Sequence, residues 1–260
     1  MPRVNVSAGS AEHSLSGERL ALLAIFARSE DELFGPAGTL ARYANEGIDV
    51  SLVAAARTPL LDVPNETAHK RDRTCACRAS GIRRACLFDY SPDELARVAP
   101  ATIEERVVRL IRELRPQVII TFAPEGLRGD AANRLVSGAA TAAFHHASDA
   151  QQFPQHLNEG LGVHAAQKLY YCVLPRSVVA QWGLGGLNAV PDEQITTTLD
   201  VSAQSEMMKN ALYCQRYRAP DFIRRLDEQH IEWKTEYYIL VESRLRRRAR
   251  REKDLFAGLR

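Results

Sequence analysis

Residues 20–27 read Leu20-Ala-Leu-Leu-Ala-Ile-Phe-Ala27, and Arg28-Ser-Glu-Asp-Glu32 follows at once. Eight apolar residues running into a charged cluster predict a buried strand, far too short to span a bilayer. Glu32–Glu46 then predicts a helix, with acids in its first turn and Gly47 as its C-terminal stop. Ile48-Asp-Val-Ser-Leu-Val-Ala-Ala-Ala56 supplies a second strand. Strand, helix and strand at this spacing make a parallel crossover unit. The fold class follows: α/β, a Rossmann-like and mostly parallel sheet with helices on both faces.

Downstream the same rhythm holds. Glu66–Ser80 predicts a helix closed by Gly81, and Arg84–Asp89 a short strand. Thr102–Arg115 places Ile103, Val107, Leu110, Ile111 and Leu114 at helical spacing and stops at Pro116. Gln117–Phe122 is a strand rich in β-branched residues, and Asn133–His146 a helix with Leu135, Val136, Ala139, Ala140, Ala143 and Phe144 facing inward. Asp149–His164 has turn residues and no period, which predicts a loop or flap. Lys168–Leu174, Gln194–Leu199 and Ile231–Val241 read as strands, Val201–Tyr217 and Ala219–Gln229 as helices. The expected organisation is one domain over residues 19–243, a flexible segment 1–18 and a basic tail or helix 244–260.

Composition narrows the classes. Apolar residues make up 45% and charged residues 25%, an ordinary globular balance. The first nineteen residues lack the order of a secretion signal, so a cytoplasmic location is expected. Five cysteines in 260 residues are no disulfide scaffold. The net charge of +2 conceals a tail, Arg244–Arg260, with eight basic and two acidic residues. A solvated terminal helix is the simplest expectation for it; contact with nucleic acid or anionic lipid is the alternative.

In a parallel sheet of this kind ligands bind outside the carboxyl ends of the strands. Two loops qualify: Arg28-Ser-Glu-Asp-Glu32, and Pro124-Glu-Gly-Leu-Arg-Gly-Asp-Ala-Ala-Asn133. Three consecutive acids exceed what complementing a helix dipole requires. If the two strands are neighbours, Glu30, Asp31 and Asp130 converge on one pocket.

Several stretches together resemble the PIG-L/LmbE family of zinc-dependent de-N-acetylases. They are Ala27-Arg-Ser-Glu-Asp-Glu32 with Leu33-Phe-Gly-Pro-Ala-Gly-Thr-Leu-Ala-Arg-Tyr43, Ile111-Arg-Glu-Leu-Arg-Pro-Gln-Val-Ile-Ile-Thr-Phe-Ala-Pro-Glu-Gly126, and Ile195-Thr-Thr-Thr-Leu-Asp-Val201. The resemblance runs from about Leu20 to Val241 and implies hydrolysis of the N-acetyl group of a sugar conjugate. The family opens with Ala-His-Pro-Asp-Asp-Glu, whose His and second Asp bind zinc and whose first Asp is the general base. By that pattern Arg28 stands at the His position, Ser29 at the Pro, Glu30 at the base, and Asp31 keeps the ligand Asp. The family's His-Pro-Asp-His appears as Asp130-Ala-Ala-Asn133, and Cys-His-Arg-Thr-Gln as Cys214-Gln-Arg-Tyr-Arg218.

A catalytic zinc takes three protein ligands, and of the three only Asp31 is retained. Guanidinium has no lone pair to offer and repels a cation. The expectation is therefore no cofactor, with a divalent cation such as Mg²⁺ disfavoured by Arg28, and Arg28 bridging Asp31 and Asp130 in the cation's place. Arg28, Asn133 and Arg216 become binding candidates for a sugar-like or glycolipid-like small molecule. Glu30 and Asp130 remain an acid/base pair for the alternative, an active hydrolase. Self-association is compatible with either. Cys75, Cys77 and Cys86 read as incidental thiols, while His145, His146, His156 and His164 are second-rank candidates for the pocket mouth. A substrate-binding flap of Trp182 and Gly183-Leu-Gly-Gly-Leu187 is a further candidate.

Overall fold

The computed structural model describes residues 19–28, 31, 35–56, 82, 84–127, 129–183, 186–214, 233–246 and 251–260. The expected helices 66–80 and 219–229 lie outside them, as do Cys75 and Cys77. β1 (Ala21–Arg28), α1 (Ala37–Asn45) and β2 (Asp49–Ala56) form the crossover unit. The two strands pair in parallel from Ala21 with Asp49 to Arg28 with Ala56. α1 does not reach back to Glu32, because Gly35 and Pro36 turn the chain first. Gly47, at φ +85°, ends the helical stretch in the left-handed region open to glycine.

Then come β3 (Arg84–Tyr90), α2 (Pro92–Leu95), α3 (Pro100–Leu114), β4 (Val118–Phe122), α4 (Ala131–His146) and α5 (Gln155–Asn158). β5 (Lys168–Val173), α6 (Arg176–Gln181), β6 (Thr197–Asp200), α7 (Ser205–Cys214) and β7 (Thr235–Ser243) complete the order. The sheet runs β3-β2-β1-β4-β5-β7-β6. β7 is antiparallel to both neighbours, and the other described pairings are parallel. From β1 the chain steps outward through β2 to β3, then returns to β4 on the other side of β1. The switch point therefore lies between the carboxyl ends of β1 and β4. Alternation along β1 feeds two cores: Leu22, Ala24 and Phe26 pack on the side of α1 and α7, and Leu23, Ile25 and Ala27 on that of α3 and α4.

The opposite end of the sheet is held by buried charge. α3 turns Val108 and Arg112 into the core, while Leu110 and Leu114 sit only at its border. The Arg112 guanidinium donates to the carbonyl oxygens of His146, Ala147, Asp149, Gln152 and Phe153. Residues 149–164 are thus not a free flap: they contain α5 and bury His156 completely. Aperiodic sequence hid this order, since one distant arginine supplies what local hydrogen bonds do not.

Residues 251–260 correct the expectation of a solvated tail or helix. They form turns that bury Leu255 and Phe256. Glu252 pairs with the buried Lys168 at 3.0 and 3.1 Å, accepts from the Tyr170 hydroxyl, and joins the backbone of Thr196 and Thr198. Arg260 bridges Glu46 at 2.7 Å and Asp254 at 3.0 Å. The segment is a clasp over the free edge of β6. No described helix is long and apolar enough to cross a membrane.

Glu252→Ala strands the Lys168 ammonium in the core and is expected to cost about 3–5 kcal/mol by urea unfolding. Lys168→Met with Glu252→Leu should recover most of that. A loss under about 1 kcal/mol for Glu252→Ala would mean the clasp carries little of the stability.

Candidate active site at the strand ends

Arg28 is the last residue of β1 and stands at the switch point. Behind it the Phe26 and Phe122 rings meet with centroids 4.7 Å apart, joining β1 to β4 under the site. Beyond β4 the second loop turns at Gly126 and Gly129, both in the left-handed region. A Cβ at Gly126 would collide with Asn133, at 2.6 Å from its Cβ, so only glycine lets the loop fold onto α4. Asp130 then caps α4, its Oδ1 accepting from the Asn133 backbone N–H at 2.9 Å.

This geometry brings three of the expected residues together. Arg28 Nη1 donates to Asp130 Oδ2 at 2.9 Å, and Asn133 Nδ2 donates to the same oxygen at 3.1 Å. The ion pair is only about one quarter exposed. Burial pushes the Asp130 carboxyl up, but the Arg28 guanidinium and the Asn133 amide outweigh it and hold the group below the usual carboxylate range. Asp31 is buried, and its Oδ2 accepts from the backbone N–H of Arg28 at 2.8 Å. One residue thus engages both acids, Asp130 through its side chain and Asp31 through its main chain. The strand's terminal amide points at Asp31.

Other candidates fall elsewhere. Glu30 and Arg216 lie outside the described residues. α4 is about 24 Å long at 1.5 Å per residue, and it carries His145 and His146 to the far end of the sheet. There His146 Nδ1 meets Glu104 at 2.5 Å, and His164 Nε2 contacts the Pro116 carbonyl. His156 lies beneath Arg112. None of the four reaches the strand-end mouth. Cys86 is a half-buried cysteine on the edge strand. Among the described residues no group of three His, Cys, Asp or Glu could hold a metal ion.

Two contributors escaped the sequence. Asn188 Nδ2 donates to the carbonyls of Glu125 and Gly126 at 2.9 and 3.1 Å, and its N–H to that of Leu127, which fixes the second loop. Its only signal was an asparagine closing a glycine-rich stretch. Glu236, on β7, reaches the N-terminus of α1 and was hidden beside the apolar and aromatic run Tyr237–Val241.

A doubly wound sheet with a carboxylate–arginine site at its switch point defines the class, and comparison with known proteins makes it specific. The family model described as PIG-L, GlcNAc-PI de-N-acetylase, matches residues 23–144. A 1D-myo-inositol 2-acetamido-2-deoxy-α-D-glucopyranoside deacetylase 2 from Catenulispora acidiphila is 31% identical over 218 residues, 72% of this chain and 70% of that one. Its counterpart from Saccharopolyspora erythraea is 28% identical over 90% of this chain and 99% of its own. The chain belongs to the PIG-L de-N-acetylase family. Solved structures agree on the fold. N,N'-diacetylchitobiose deacetylase from Pyrococcus horikoshii gives a TM-score of 0.65 at 12% identity, covering 86% of this chain and 84% of its own. The 4-carboxy-2-hydroxymuconate hydratase GalB of Pseudomonas putida gives 0.63 at 16%, covering 89% and 99%. The latter is named for a different reaction, so the fold alone does not fix the chemistry.

Removing the guanidinium leaves burial as the main influence on Asp130. In Arg28→Met its carboxyl should rise from its depressed position, read by carboxyl-carbon NMR titration. The stability that wild-type Asp130 contributes is present above about pH 4 and lost as the pH falls through its depressed value. In the variant that slope should shrink. An unmoved carboxyl would show that the contact at 2.9 Å carries no charge coupling.

Proposed function

We propose that this chain is a family member that binds an N-acetylated amino-sugar conjugate at the switch point and uses no zinc there. The supporting observation is the Arg28–Asp130 ion pair. A zinc ion needs lone pairs converging on one point. Beside Asp130 stands a guanidinium, which offers only hydrogens and already neutralises that carboxylate. These residues do not suit the metal.

What the residues offer a sugar is a set of planar polar groups. Carboxylate oxygens accept from hydroxyls, and guanidinium and amide N–H groups donate to hydroxyl or acetamido oxygens. Asp130, Arg28 and Asn133 carry both kinds within one cluster on rigid elements. The loop locked by Asn188 lies alongside.

A second reading, hydrolysis of the acetamide, is favoured by the names of the relatives, which are deacetylases of an inositol-linked N-acetylglucosamine. Within the described residues its base would be Asp130. A carboxyl held below the ordinary range by a bound guanidinium is a weak base at neutral pH, which counts against it.

The relatives' substrate, 1D-myo-inositol 2-acetamido-2-deoxy-α-D-glucopyranoside, serves as probe for both. Calorimetry on the unmodified protein should register binding while no acetate is released, with or without chelator. Arg28→His combined with Asp130→His and Asn133→His should acquire zinc and release acetate. Chelator-sensitive acetate release by the unmodified chain would overturn the proposal. Release that ignores chelators would establish the second reading instead.

A further inference from the structure

The glycine-rich stretch that follows α6 ends on Asn188, which is exposed although its surroundings are fixed. Just beyond it, the Val190 N–H donates to the Leu174 carbonyl at 2.9 Å, and the Val190 carbonyl accepts from the Arg176 N–H at 3.0 Å. This ties the chain to the end of β5. On the other flank the Trp182 ring packs nearly edge-on against Trp233, with centroids 5.1 Å apart. Between these anchors the Asn188 backbone N–H donates to the Leu127 carbonyl at 2.9 Å. Its side chain lies over Gly129, the residue before Asp130. A Cβ on Gly129 would come within 3.3 Å of Asn188 Nδ2, and φ at Gly129 is +70°, so glycine is what lets the amide settle there.

Two carbonyls decide which way that amide points. Asn188 Nδ2 donates to the Glu125 oxygen at 2.9 Å and to the Gly126 oxygen at 3.1 Å. A primary amide nitrogen carries two hydrogens, and both are engaged by the loop. The flipped amide would set Oδ1 against two carbonyl oxygens with no proton to share. Oδ1 is therefore directed away from those carbonyls, and among the described residues no donor meets it. The cluster beside it is short of acceptors. Arg28 can only donate, and three donors from Arg28 and Asn133 already meet the Asp130 carboxylate.

We propose that Asn188 is a ligand-binding residue of the switch-point site, whose Oδ1 accepts a hydrogen bond from a hydroxyl or the acetamido N–H of the bound conjugate. This rests on the reading above that an N-acetylated amino-sugar conjugate binds here. The loop carbonyls hold the amide in one orientation before the ligand arrives, so little side-chain freedom is lost on binding. A ligand that offers a lone pair at this position meets an oxygen and is rejected, which makes Asn188 a determinant of specificity.

Calorimetry on the full chain with 1D-myo-inositol 2-acetamido-2-deoxy-α-D-glucopyranoside and a set of analogues tests this. Each analogue lacks one donor: an acetate ester replaces the acetamide, or hydrogen replaces one sugar hydroxyl. Asn188→Ala should weaken the parent conjugate about tenfold. For the one analogue that lacks the bonded donor, the ratio of variant to wild-type dissociation constants should shrink by about fivefold. Loosening of the loop alone would weaken every member of the set alike, so a uniform ratio across the set would overturn the assignment. An unchanged affinity for the parent would do the same. Failure of the wild-type chain to bind any member would overturn the reading of the pocket as a sugar site, and this inference with it.

Discussion

A carboxylate drawn out of water at the end of a buried sheet must find a positive charge or give up its own. The strand order of this chain creates that problem at one place, between β1 and β4, where the end of one strand faces the cap of α4 across the switch point. Arg28 resolves it with a guanidinium 2.9 Å from Asp130, and its own amide takes up Asp31. The loops, the two left-handed glycines and the Asn133 amide are arranged around that pairing.

The two ends of the sheet differ in how charge is used. At the far end Arg112 gathers five carbonyls, and Lys168 is locked to Glu252 with Tyr170. Such fully partnered ions hold segments far apart in sequence in one arrangement. At the ligand end the charges are only partly covered: Arg28 and Asp130 keep about a quarter of their surface, and among the described residues no cation is ion-paired to Glu236. Stability is concentrated away from the mouth, which leaves the mouth free to respond to solutes.

Much of this was legible in the sequence. The runs Leu20–Ala27, Ile48–Ala56 and Gln117–Phe122 are apolar enough to be nothing but interior strands, so the crossover unit and the two strand-end loops followed. The pairing of Arg28 with Asp130 was legible too, because both residues stand where the family pattern puts other side chains. What stayed hidden was long-range electrostatics. Arg112 looked like a solvent-facing residue of an amphipathic helix, and Glu252 like an acid diluting a basic tail. Each is buried because a partner tens of residues away completes it. Glu236 was obscured in the same way, since the amides it caps lie almost two hundred positions earlier. The stretch expected as a loop or flap is mostly loop, and its anchoring stayed hidden for a kindred reason: lack of period marks the absence of a regular element, and says nothing of a distant guanidinium.

Elemental analysis of the unmodified chain, expressed in zinc-supplemented medium and purified without chelator, bears most directly on whether Arg28 is the site's cation. If it is, zinc should be far below one ion per chain and should wash out on dialysis. One tightly retained zinc per chain, lost when Asp31 is replaced by alanine, would contradict it.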